Sequence, residues 1–267
     1  MPKPLGHGGH GLPTPPPAGF IAHTRPQGAL QQQRARISGQ VQAQGGRQST
    51  ISIGKKLTTP HHIGSAILRA QHGQSAIDPK VLNYRGFSTA TMRRAVNNIL
   101  AVEHKVIYLE AGAYCGATAC AAVSNRPNVT AFAYEDFSQP FAPEGVDVAA
   151  ELANNVKKTV GGHLTVITRD FFMSEKPGGV DVYFYDGKHD EDDQALALPA
   201  MVDLLSPKSI FMVDDFNWES VEKGTKRGFA QVEDKVKILA KWILRGQKDQ
   251  DDPIWHNGFA IYLLERK

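Results

Sequence analysis

The sequence predicts an α/β body, a doubly wound and mostly parallel seven-stranded sheet with an antiparallel last strand, behind a basic N-terminal arm of low complexity. Three observations predict it. From Lys105 onward, short apolar runs alternate with stretches of helical periodicity, the pattern of a parallel sheet covered on both faces. The apolar runs close on glycines and acids, at the strand ends where open α/β sheets bind ligands. The first Asp or Glu of the 267-residue chain is Asp78, so residues 1 to 77 carry +8 and the remainder −5.

The elements follow in order. Residues 1 to 50 are rich in Gly, Pro and Gln and show neither helical nor strand period. Such a composition buries too little apolar surface to offset its ordering entropy, so an arm that orders only against a partner is expected. Residues 51 to 104 read as a helical segment. Its first helix covers 60 to 72, and Ser88 is expected to cap a second that runs to about Glu103, with Met92, Ala95, Val96, Ile99 and Leu100 on one face. The body is residues 105 to 267. Strands are expected at 106 to 109, 129 to 134, 164 to 168, 180 to 185 and 210 to 213. Helices are expected at 117 to 124, 148 to 160, 191 to 205 and from about Trp218. The tail 259 to 264 reads as the last strand, paired with one inside 236 to 244.

Composition excludes several classes. No apolar run approaches the roughly 20 residues of a membrane span, and the N-terminus lacks the apolar stretch of a secretory signal. The two cysteines, Cys115 and Cys120, make neither a zinc knuckle nor a disulfide framework. A reduced, cytoplasmic setting is expected.

Five strand-end motifs carry the chemistry. Glu110-x-Gly112-x-x-x-Gly116 joins a strand to a helix, with Tyr114 in the turn; its glycines let backbone approach a ligand or make a tight turn. It matches neither the dinucleotide fingerprint nor a P-loop. Glu135, with Asp136, ends the next strand 19 residues after Gly116, where an acid can accept two ribose hydroxyls. Asp170 and Phe171 follow the third strand; an acid there can take an adenine amino group and an aromatic can cover the ring, although Phe171 and Phe172 also suit a core. Asp186, Lys188 and His189 follow the fourth strand, and Asp214 and Asp215 the fifth. Neighbouring strands would gather these three acids, and a divalent cation such as Mg²⁺ would offset their repulsion. Alternatively, Asp186 holds a cofactor and Asp214 and Asp215 cap the next helix. His189 is the candidate general base and Lys188 the runner-up.

With these motifs in this order, residues 105 to 264, about 60% of the chain, resemble class I S-adenosylmethionine (SAM) methyltransferases of Rossmann-like fold. The D-G-x-H and D-D-x-N-W elements are similar to the small-molecule O-methyltransferases related to macrolide-sugar and catechol enzymes. The resemblance implies that Glu110, Gly112 and Gly116 hold the methionyl end of SAM, Glu135 the ribose, and Asp170 with Phe171 the adenine. It also implies, in the metal-dependent branch, Mg²⁺ on Asp186, Asp214 and Asp215. His189 stands where catechol-type enzymes carry a basic lysine, and Asp215 where they carry Asn. The expected partner is a small hydroxylated methyl acceptor, a sugar among the candidates.

Two other readings compete. The arm suits a structural or assembly protein that retains this fold, with a homo-oligomer or a larger complex ordering the arm. A nucleic-acid methyltransferase is disfavoured: no N/D-P-P-Y/F motif is present, and the eight positive charges are spread over 77 residues.

Overall fold

The computed structural model describes residues 58–138, 142, 144–246 and 254–267. The arm, residues 1 to 50, lies outside the described residues, as do residues 51 to 57 of the helical segment. Seven strands form one sheet: β1 (Val106–Ala111), β2 (Val129–Tyr134), β3 (His163–Ile167), β4 (Val180–Tyr185), β5 (Leu205–Val213), β6 (Val236–Leu244) and β7 (Phe259–Arg266). Their order is β3-β2-β1-β4-β5-β7-β6. β7 runs antiparallel to β5 and β6, and every other pairing is parallel. This is the seven-stranded, mostly parallel sheet with an antiparallel last strand that the sequence predicted.

Period-two alternation explains both faces of the sheet. Val182, Phe184, Ile210, Met212, Ile261 and Leu263 pack on one side, with α1 (Pro60–Gln71) and α3 (Ala90–Ile99). Their neighbours Tyr183, Tyr185, Phe211, Val213, Tyr262 and Leu264 pack on the other, over Leu198, Met201 and Val221. A strand buried on both faces needs a continuous apolar run, which is why β4 reads VDVYFY. Its one acid is used structurally. Asp181 accepts from the Ile107 amide at 2.9 Å and from the Ser206 hydroxyl at 2.7 Å, tying β1, β4 and β5 at their amino ends. Each large apolar side chain buried here stabilises the fold by about 1.5–3 kcal/mol.

The remaining helices are α2 (Pro79–Leu82), α4 (Ala117–Val123), α5 (Val148–Lys158), α6 (Glu191–Ala197) and α7 (Glu219–Gln231). Two expectations need correction. Thr89, not Ser88, caps α3, accepting from the Met92 amide at 3.1 Å. The Ser88 hydroxyl instead meets Thr118 at 2.7 Å and accepts from Arg93 Nε at 2.9 Å. The helix from Glu191 ends at Ala197 rather than Leu205, and a 3-10 turn over Val202–Leu204 leads into β5. Pro199 has no N–H for the Ala195 carbonyl, which accepts from the Gln231 side chain at 3.2 Å. The sequence reading also passed over the four-residue α2, whose N-cap is Asp78.

Candidate active site

The sheet reverses its order between β1 and β4, the switch point at which such sheets open a crevice. A cavity of about 940 Å³ occupies it, enclosed by the carboxyl ends of β1, β2, β4 and β5 and the loop after β3. This is the size of a cofactor-plus-substrate site. Of the residues singled out in the sequence, Glu110, Gly112, Tyr114, Glu135, Asp136, Asp170, Phe171, Asp186, Lys188, His189, Asp214 and Asp215 all line it. Gly116 is not in its wall. It adopts φ +78° as the N-cap of α4, where a Cβ would sit 2.6 Å from Leu152 Cδ1.

Gly112 has a reason of its own. At φ +88°, a Cβ would meet the Asp186 carbonyl oxygen at 1.8 Å. The glycine therefore lets the β1 turn close onto the β4 turn, and the Asp186 amide donates to the Ala111 carbonyl at 2.9 Å. Glu110 forms part of the wall. It is 1% exposed and accepts from the Tyr108 hydroxyl at 2.6 Å. Burial pushes its carboxyl up to about 8, against the pull of the Tyr108 hydrogen bond and of Arg93. Arg93 is itself buried. It donates to the Leu82 and Tyr84 carbonyls and so fixes the loop before α3.

Glu135 spans two turns. One carboxylate oxygen accepts from the Tyr114 amide at 2.6 Å, the other from Phe137 at 2.8 Å. A carboxylate offers about four lone-pair sites, so each oxygen keeps one for a ligand. Asp136 is exposed and accepts from Ser138 at 2.8 Å, which holds its pKa below the ordinary value. Asp170 Oδ1 accepts from the Met173 amide at 2.9 Å and closes the turn after β3. Phe171 is turned into the core: 8% exposed, stacked on Tyr183 at 5.8 Å, with the Lys176 ammonium 4.6 Å from its centroid. Its neighbour Phe172 is less buried and packs at 6.2 Å on Tyr185.

The acids at β4 and β5 converge on His189. Its Nδ1 lies 3.4 Å from Asp215 Oδ2 and its Nε2 3.6 Å from Asp186 Oδ1. Nε2 makes no hydrogen bond. The Trp218 ring packs nearly perpendicular to the imidazole, with 5.3 Å between centroids. Asp186 and Asp214 are both held well above the carboxylate range, first by burial and then by neighbouring negative charge. Asp215 adopts φ +49°, a left-handed conformation that Asp tolerates better than most side chains. Neither acid caps α7, whose N-cap is Trp218. Lys188 points to the rim, 3.6 Å from Asp193 and half exposed.

The expected Mg²⁺ triad of Asp186, Asp214 and Asp215 does not form a fitting site. The imidazole of His189 stands between Asp186 and Asp215. Among the described residues, no group of three or more His, Cys, Asp or Glu side chains is arranged to hold a metal ion. The turn at Gly112 and the carboxylate of Glu135 do fit a nucleoside cofactor, with an acceptor site left on each Glu135 oxygen in the wall of a cavity of sufficient size. Sequence reasoning missed one part of the wall, Gly86-Phe87-Ser88, where the Phe87 ring lies 5.0 Å from Tyr114. No local motif marks that tripeptide; only the packing of α3 brings it there.

Residues 109–216 match the model of a family described as a methyltransferase domain. No curated protein matches the sequence significantly. Several solved structures are similar. A precorrin-6y C5,15-methyltransferase from Geobacter metallireducens GS-15 is 16% identical, covering 72% of this chain and 99% of its own, with TM-score 0.47. An O-methyltransferase from Bacillus cereus in complex with SAH is 12% identical, covering 80% and 94%, with TM-score 0.47. A putative RNA methyltransferase from Pyrococcus horikoshii is 10% identical, covering 76% and 98%, with TM-score 0.46. These three are too distant to carry a substrate or a residue role across. The matched segment holds every strand end that builds the cavity.

Proposed function

We propose that this chain carries a SAM-dependent methyltransferase domain that O-methylates a small hydroxylated acceptor, a sugar being one candidate, with His189 as the general base. The observation that carries the reading is His189 itself. It lies in the cavity wall, is flanked by Asp215 on Nδ1, and has an Nε2 without a hydrogen bond. SAM supplies an electrophilic methyl on a sulfonium. The chain's residues do the rest. Glu110 and Gly112 would hold the methionyl end, Glu135 the ribose and Asp170 the adenine. His189 takes the proton of the attacking hydroxyl, and Asp215 favours the imidazolium that results. The cavity walls orient the two reactants, the largest contribution expected in a displacement of this kind.

Substituting His189→Ala should lower kcat by about 10²–10⁴-fold and leave the affinity for SAM unchanged by calorimetry. Unchanged kcat on the identified acceptor would remove His189 from the mechanism. Partners enter through the same reading. The acceptor is a small molecule, and the acid-free arm serves assembly into an oligomer. Deleting residues 1 to 50 should then change the sedimentation behaviour and spare cofactor binding; unchanged assembly would end that part of the proposal. Among the described residues, no helix is long and apolar enough to cross a membrane.

A further inference from the structure

The cavity carries far more acid than the proposed reaction uses. Ten Asp and Glu side chains line it against two permanent cations, Arg169 and Lys188. Lys188 is already engaged by Asp193 at 3.6 Å. Arg169 follows β3, three strands from β4 and so roughly 14 Å away along the sheet. The part of the wall nearest His189 therefore has Asp186, Asp214 and Asp215 with no committed cation.

One of these acids is incomplete. Asp214 is 4% exposed, and its Oδ1 has no hydrogen-bond partner. A buried acceptor left unpaired costs about 1–3 kcal/mol, more when it bears charge. Trp218 lines the same cavity with 45% of its surface exposed, although an indole of this size would normally be covered. An exposed indole and an unpaired buried carboxyl in one cavity suit an organic cation on a ring or short chain.

We propose that the methyl acceptor bears a protonated amine beside its reacting hydroxyl, with Asp214 and Asp215 taking the ammonium and Trp218 covering the carbon skeleton. The inference rests on the methyltransferase reading and narrows its substrate class to amino alcohols, amino sugars included. An ammonium offers three donors and requires no coordination shell, so it fits where three ligands are not arranged around a metal. Phosphorylated and carboxylated acceptors meet three acids here and no uncommitted permanent cation. The reaction balances with one hydroxyl proton passed to His189, one O–methyl bond formed and one sulfonium–methyl bond broken.

The test uses the full chain saturated with S-adenosylhomocysteine (SAH), with 2-aminoethanol as the minimal probe, read by calorimetry or ligand-observed NMR. Ethylene glycol and glycolate are its neutral and anionic counterparts, and MgCl₂ is titrated separately. Aminoethanol should bind at least about tenfold more tightly than either counterpart, and Asp214→Asn should erase that advantage. Trp218→Ala, at an exposed position, should weaken the probe severalfold even where Asp214→Asn does not fold. Equal binding of aminoethanol and ethylene glycol would overturn the inference, as would Mg²⁺ binding alone that excludes the amine. The heat of SAH binding on the same sample separates the two levels. SAH binding without amine selectivity ends this inference only, whereas no SAH binding ends the methyltransferase reading and this inference with it.

Discussion

Glu110 shows how one residue joins stability to the site. Its carboxyl is buried against Tyr108, with Arg93, Asp214 and Glu135 in its surroundings. Burial raises it from an ordinary 4.5 to about 8. A raised acid contributes stability that is complete below its unfolded value and is lost as pH climbs through its folded value. For Glu110 that window runs from 4.5 to about 8. Glu110→Gln, which keeps an acceptor for the Tyr108 hydroxyl, should therefore lose less stability than the wild type between about pH 5 and about pH 9 in chemical denaturation. Parallel profiles for the two proteins would mean that Glu110 ionises freely in the fold. The sequence placed Glu110 in a cofactor turn but gave no sign of this burial, because Tyr108 and Arg93 reach it through the sheet and through α3. Phe171 is a related case. Its adenine-covering role and its core role were equally open in the sequence, and only three-dimensional packing put its ring against Tyr183 and Lys176.

At the scale of elements, strands were more legible than helix ends. The central strands are buried on both faces, so their apolar runs stand out, and period two sorts their residues to the two cores. Helix α6 was read too long because Leu198 to Leu204 keeps a helical apolar pattern, while Pro199 and the Gln231 side chain decide where the hydrogen bonds go. The β1 turn was legible as a glycine motif, yet the reason for Gly112 was not: a carbonyl 75 residues or so along the chain fills the space a side chain would need. Gly112→Ala should destabilise the domain by at least about 3 kcal/mol, since a left-handed conformation and a backbone clash add. Equilibrium unfolding measures this. A loss below about 1 kcal/mol would show that the β1 and β4 turns can part without cost.

At the scale of the molecule, the reading depends on where the switch point falls. Strand order β3-β2-β1-β4-β5 brings five sequence motifs, spread from Glu110 to Asp215, to one edge of the sheet. That convergence was predictable from alternation alone, because parallel strands all end on the same side. The contribution of Gly86-Phe87-Ser88 was not, since it depends on how the segment before α3 lies over the sheet. Nor was the position of His189 between two acids, which decided against the expected metal arrangement.

The central claim is that this convergence makes a cofactor site. Calorimetric titration of the folded chain with SAH tests it most directly. The account predicts saturable binding at one site per chain, weakened at least about tenfold in Glu135→Ala, whose carboxylate would hold the ribose. No heat of binding at SAH concentrations on the order of 1 mM, in a protein shown to be folded, would contradict it.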